Sequence, residues 1–121
     1  MSIRVLIVDD LSFMRNAIRE IVEAAGFQVS AEASNGEEGV MEYETTHPDV
    51  VLMDITMPVL DGIESLKRII RADSKARVIM CSALGQQEYI IRAIQFGAKD
   101  FIVKPFRPER IVSAVRKAAK V

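Results

Sequence analysis

The stretch Val5–Asp10, VLIVDD, runs four aliphatic residues straight into two adjacent acids. An unbroken aliphatic run of this length suits a strand buried on both faces, as in a parallel sheet. Asp9 and Asp10 stand where that strand ends, and each raises the cost of ionising the other. The stretch therefore sets the fold class and poses a question about what holds two like charges there.

Working outward, five short runs read as strands: Arg4–Val8, Gln28–Glu32, Val50–Met53, Arg77–Cys81 and Asp100–Val103. Helical segments lie between and after them. In the first, Met14, Ala17, Ile18, Ile21, Val22 and Ala25 form one apolar stripe at helical spacing, with Arg15, Asn16, Arg19, Glu20 and Glu23 opposite. Gly26 stops it. The spacing predicts further helices over Gly36–Thr45, Gly62–Ala72, Gln86–Phe96 and Pro108–Ala119. Gly39 inside the second reads as a weak point costing about 1 kcal/mol relative to Ala. Five βα alternations imply a parallel sheet with helices on both faces.

Composition narrows the function. The 121 residues suit one domain, and 50% hydrophobic with 27% charged residues allow a core and a solvated surface. A net charge of −1 argues against a nucleic-acid binder. No apolar run approaches bilayer-spanning length, and the first residues lack a signal-peptide cleavage site. Cys81 is alone, so no internal disulfide or thiolate cluster is expected, and the location expected is cytoplasmic. The chain ends within a residue or two of the last helix, so no output domain is expected to follow.

In a doubly wound sheet, ligands bind beyond the carboxyl ends of the strands. Asp9 and Asp10 stand at the first such end, Asp54 at the third, Ser82 at the fourth and Lys104 at the fifth. Taken singly, each has an ordinary explanation: Asp10 or Ser12 could cap a helix, and Lys104 could be a solvated charge. Together they are harder to explain. Three carboxylates need a cation, and all-oxygen ligation suits a hard ion such as Mg²⁺. A carboxylate beside Mg²⁺ and an ammonium can itself accept a phosphoryl group.

These residues carry a resemblance that covers the whole chain, from VLIVDD through MDITMPVLDG and CSALG to KDFIVKPF. The sequence resembles a receiver domain of the two-component response regulators, within them the single-domain chemotaxis regulators of the CheY type. That resemblance implies a flavodoxin-like α/β fold: a doubly wound five-stranded parallel sheet with five helices in three layers, one receiver domain over 1–121. The order 2-1-3-4-5 comes from the fold family, not from periodicity. It implies that Asp54 is the phosphoacceptor, that Asp10 and Asp54 ligate Mg²⁺ directly, and that Asp9 acts through water. Thr56 would lend a backbone carbonyl to the metal. Lys104 would contact the phosphoryl group, and the Lys104–Pro105 bond would be cis. Ser82 would move toward the phosphoryl group and Phe101, a ring without the commoner hydroxyl, would rotate inward.

The function so implied is a phosphorylation-dependent switch. A chemotaxis-type histidine kinase donates the phosphoryl group, a flagellar motor switch protein or another target binds the product, and a phosphatase is a third expected partner. The chain would catalyse only its own phosphorylation and dephosphorylation, so it is not an enzyme of ordinary turnover. The alternatives are a phosphorelay intermediate, a regulator of another pathway and, more distantly, a Mg²⁺-dependent phosphohydrolase. No acid follows Asp54 two residues on, which counts against the last. In the fourth helix, Ile91, Ile94 and Ala98 form one stripe and Tyr89, Ala93 and Phe96 another, with Ile90 between. The second, together with Ile90, is taken as the partner-binding face.

Overall fold

The computed structural model describes residues 2–120. Its elements alternate as β1 (Arg4–Val8), α1 (Ser12–Ala24), β2 (Gln28–Ala33), α2 (Gly36–Thr46), β3 (Val50–Met53), α3 (Gly62–Ala72), β4 (Val78–Ser82), α4 (Gln87–Gln95), β5 (Asp100–Val103) and α5 (Pro108–Ala119). Boundaries read from the sequence differ by one residue at β2, α2, β4 and α4. The strands pair in the order β2-β1-β3-β4-β5, all parallel.

Because side chains alternate across a strand, each central strand feeds two cores. Leu6, Val8, Val51, Met53, Val78, Met80 and Phe101 point to one side, against Tyr43, Leu66, Ile69 and Ala93 of α2, α3 and α4. Val5, Ile7, Val50, Leu52, Ile79, Cys81 and Ile102 point to the other, against Ile18, Val22, Ile111 and Val115 of α1 and α5. This explains the unbroken aliphatic runs: from Val5 on in β1, and throughout β3 and β4, neither face meets water. β2, at the sheet edge, is only partly buried along most of its length.

Two local readings change. Neither Asp10 nor Ser12 caps α1; Leu11 is its N-cap residue, without a side-chain cap bond, and Asp9 Oδ1 accepts from the Leu11 N–H at 3.0 Å. Gly39 is no mere weak point. A Cβ there would sit 3.2 Å from both methyls of the buried Val8, so the missing side chain lets α2 lie close on β1. Propensity alone cannot show this, because the neighbour belongs to another element.

Gly62 has a stricter role. It opens α3, and its N–H donates to Ile55 O at 2.7 Å. A Cβ there would fall on the backbone carbonyl of Asp54. The loop after β3 is thus folded against the start of α3, with Asp61 capping the helix by accepting from Glu64 N–H at 2.9 Å. Gly62→Ala is expected to lower stability by about 2 kcal/mol or more, as overpacking against backbone does. Urea unfolding checks this; an unchanged midpoint would contradict the packing described.

Candidate functional site

The register places the site. Val8 of β1 pairs with Met53 of β3. The next residue on each strand is an acid, so Asp9 and Asp54 emerge side by side. Asp54 N–H donates to Val8 O at 2.9 Å and locks this alignment. β1 also lies where the sheet winds in opposite directions, toward β2 and toward β3, which is the crevice that doubly wound folds use for ligands. On the far side Ser82 pairs with Val103, and Lys104 N–H donates to Ser82 O at 2.9 Å. Lys104 is thereby aimed back across the strand ends. The Lys104–Pro105 peptide is cis.

One oxygen from each of Asp9, Asp10 and Asp54 lies within 4.8 Å of the others. Asp9 and Asp54 are buried, at 1% and 8% exposure, and Asp10 is exposed. Lys104 Nζ lies 2.8 Å from Asp9 Oδ2 and 3.6 Å from Asp54 Oδ2. Asp54 Oδ1 accepts from the Ile55 N–H at 2.8 Å. Three hard oxygens converging beside one half-buried ammonium fit a small divalent cation of the Mg²⁺ type.

The charges respond to this crowding. Burial raises the Asp54 pKa above the ordinary carboxylate value and Asp9 and Asp10 add to the rise, against the pull of Lys104 and the Ile55 N–H. Burial disfavours the Lys104 charge, yet Asp9 and Asp54 outweigh it and hold its pKa above the ordinary lysine value. Cys81, beneath the site, is pushed up to about 12 by burial, so it stays a thiol.

Ser82 is 1% exposed and its Oγ accepts from Leu84 N–H at 3.0 Å, which ties the hydroxyl to the loop before α4. Thr56 lies exposed in the loop two residues past Asp54. Phe101, expected to rotate inward, is packed in the core at 8% exposure. A ring without a hydroxyl has no polar group to hold toward water, so burial is its low-energy placement.

Of the partner face read on α4, Ala93 turns to the core while Phe96 stays exposed at 36%. Ala93 is fully buried, and Tyr89 and Ile90 pack partly buried against the same core. Phe96 is covered from one side by Lys67, whose Nζ sits 4.3 Å from the ring centroid. The exposed apolar residues of α4 are Ile91 and Ile94, at 45% and 48%. Both stripes are apolar at helical spacing; the core takes Ala93 from one and Ala98 from the other. Sequence reading also passed over Arg15. Its guanidinium donates to Asp9 O at 2.6 Å from the polar side of α1.

A carboxyl whose folded pKa lies above its unfolded value, near 3.9, adds stability below the unfolded value and loses it as pH rises through the folded one. Asp54 is such a group. Asp54→Asn is therefore expected to melt higher than the wild type at pH 7 in chelator, with the gap narrowing as pH falls toward 4. A variant that melts lower at pH 7 would show that Lys104 outweighs burial.

Comparison with known proteins gives the family. The family model for the response regulator receiver domain matches residues 5–116. The chain is 53% identical over 117 residues to the chemotaxis protein CheY of Thermotoga maritima, covering 97% of this chain and 98% of that protein. It is 56% identical over 117 residues to the CheY of Bacillus subtilis, at the same coverage. Among solved structures, one chain of the CheX-CheY-BeF3-Mg complex from Borrelia burgdorferi superposes with a TM-score of 0.95 at 39% identity, covering 98% of this chain and 90% of that one. The chain belongs to the response regulator receiver domains, among relatives of the chemotaxis CheY type.

Proposed function

We propose that this receiver takes a phosphoryl group onto Asp54 from a phosphohistidine of a chemotaxis-type kinase, with Mg²⁺ bound by Asp10, Asp54 and the Thr56 carbonyl, and that the modified form binds a flagellar motor switch protein. The observation that carries this reading is the Asp54 carboxylate set by strand register beside Asp9, with Asp10 and the Lys104 ammonium completing the ring. In the transfer, the donor P–N bond breaks as a P–O bond to an Asp54 carboxylate oxygen forms. In the reset, water takes the phosphoryl group and Asp54 regains its carboxylate. Bound Mg²⁺ supplies charge neutralisation for the phosphoryl oxygens.

The chain's own residues do the rest. Lys104 offsets the negative charge added at Asp54. The β1–β3 register holds the acceptor in place, so no ordering of the acid is needed at the moment of transfer. Ser82 can leave the Leu84 N–H and donate its hydroxyl proton to a phosphoryl oxygen, which would move the loop before α4. With Phe101 already inside, this loop and α4, more than a ring rotation, would report the modification. The outward-facing pair Ile91 and Ile94, with the exposed Phe96, then offers an apolar contact for the target. The BeF3 and Mg²⁺ in the Borrelia CheY complex, where BeF3 stands in for a phosphoryl group, and its CheX partner support the same chemistry and a phosphatase as a second partner class.

The test is a titration against a motor-switch peptide with and without beryllofluoride and Mg²⁺. The reading predicts binding at least several-fold tighter with the analogue, weakened by Ile94→Asp. Equal binding in both states would reject the motor-switch assignment.

A further inference from the structure

Asp10 is the least constrained member of the acidic cluster. It is exposed, and none of the side-chain hydrogen bonds or ion pairs found among the described residues involves its carboxylate. Its direction is therefore set by the backbone that precedes it. That backbone leaves β1 at Val8, so the Asp9 carbonyl has passed the end of the strand ladder. An unpaired carbonyl here would leave the Asp9–Asp10 peptide free to rotate.

Arg15, one turn into α1, fills that gap. Its Nη1 donates to Asp9 O at 2.6 Å, and its Nε donates to Glu32 Oε1 at 3.2 Å. Glu32, on β2, is gripped from its other oxygen by Arg19 at 2.7 Å. The Arg15 and Glu32 side chains are only 19% and 25% exposed, which distinguishes this pair from a solvated surface bridge. The other polar atoms of Asp9 are also held: its N–H by Ala33 O, Oδ1 by Leu11 N–H and Oδ2 by Lys104. The Arg15 fork therefore completes the restraint on Asp9 and, through the shared peptide, aims Asp10.

We infer that Arg15, anchored by Glu32, is a positioning residue for the metal half of the site, resting on the Mg²⁺ reading above. It touches no phosphoryl group and no metal ligand atom. Its charge makes the inference sharp. A cation beside a Mg²⁺ site repels the ion, so deleting it by charge alone would tighten Mg²⁺ binding. Deleting a positioning group loosens it, and outer partners of metal ligands commonly matter by about 10-fold or more.

The experiment titrates Mg²⁺ alone into wild type, Arg15→Met, Arg15→Gln and Arg19→Met at constant ionic strength. The amide resonances of Asp10 and Ile55 report binding, and thermal melts confirm folding. Two Arg15 variants are used in case one fails to fold. Arg19→Met is the control, since it also removes a cation and a Glu32 partner but does not touch Asp9. The inference predicts Mg²⁺ affinity about 10-fold lower in the folded Arg15 variants and unchanged or slightly higher in Arg19→Met. Arg15 variants that bind Mg²⁺ as well as or better than wild type, or an equal loss in Arg19→Met, would overturn it. A wild type that does not respond to Mg²⁺ would instead reject the metal reading itself.

Discussion

The pairing of Val8 with Met53 is the constraint on which the rest depends. It makes Asp9 and Asp54 neighbours at the ends of two buried strands, where neither can retreat into water. Like charges so placed are costly, and the structure answers with Lys104, brought from the far end of the chain by the β4–β5 register. A shift of one residue between β1 and β3 would turn alternate side chains to the wrong core and separate the acids. Packing and chemistry are thus specified by the same hydrogen bonds.

Crowding leaves its mark on energetics. A buried carboxylate with two acidic neighbours is held at a cost to folding, in the manner of functional sites that keep poorly stabilised charges. Gly62 and Gly39 contribute on the packing side: one lets α3 begin against the Asp54 carbonyl, the other lets α2 close on Val8. Ser82 and Phe101, on neighbouring strands, are held differently. The hydroxyl is tied to the loop before α4, whereas the ring lies in the core.

Much of this was legible in the sequence because the unbroken aliphatic runs and the acids that end them encode strand, burial and site together. Asp9, Asp54 and Lys104 converge because each directly follows a strand of one parallel sheet, with Asp10 one residue on and Ser82 closing the neighbouring strand. What could not be read depended on the third dimension. On α4 two apolar stripes compete, and only packing shows that Ala93, not Ile91 or Ile94, faces the sheet. Gly39 looked like a defect until Val8 stood beneath it. Arg15 looked like surface charge, since nothing in its spacing reveals a bond to the carbonyl of Asp9.

The central claim is that this charge cluster makes Asp54 a phosphoryl acceptor. Intact mass after incubation with acetyl phosphate, with and without Mg²⁺ and beside Asp54→Asn, tests it most directly. The account predicts a single phosphoryl adduct that requires Mg²⁺ and is missing from the variant. An adduct that persists in the variant, or none in the wild type, would contradict it.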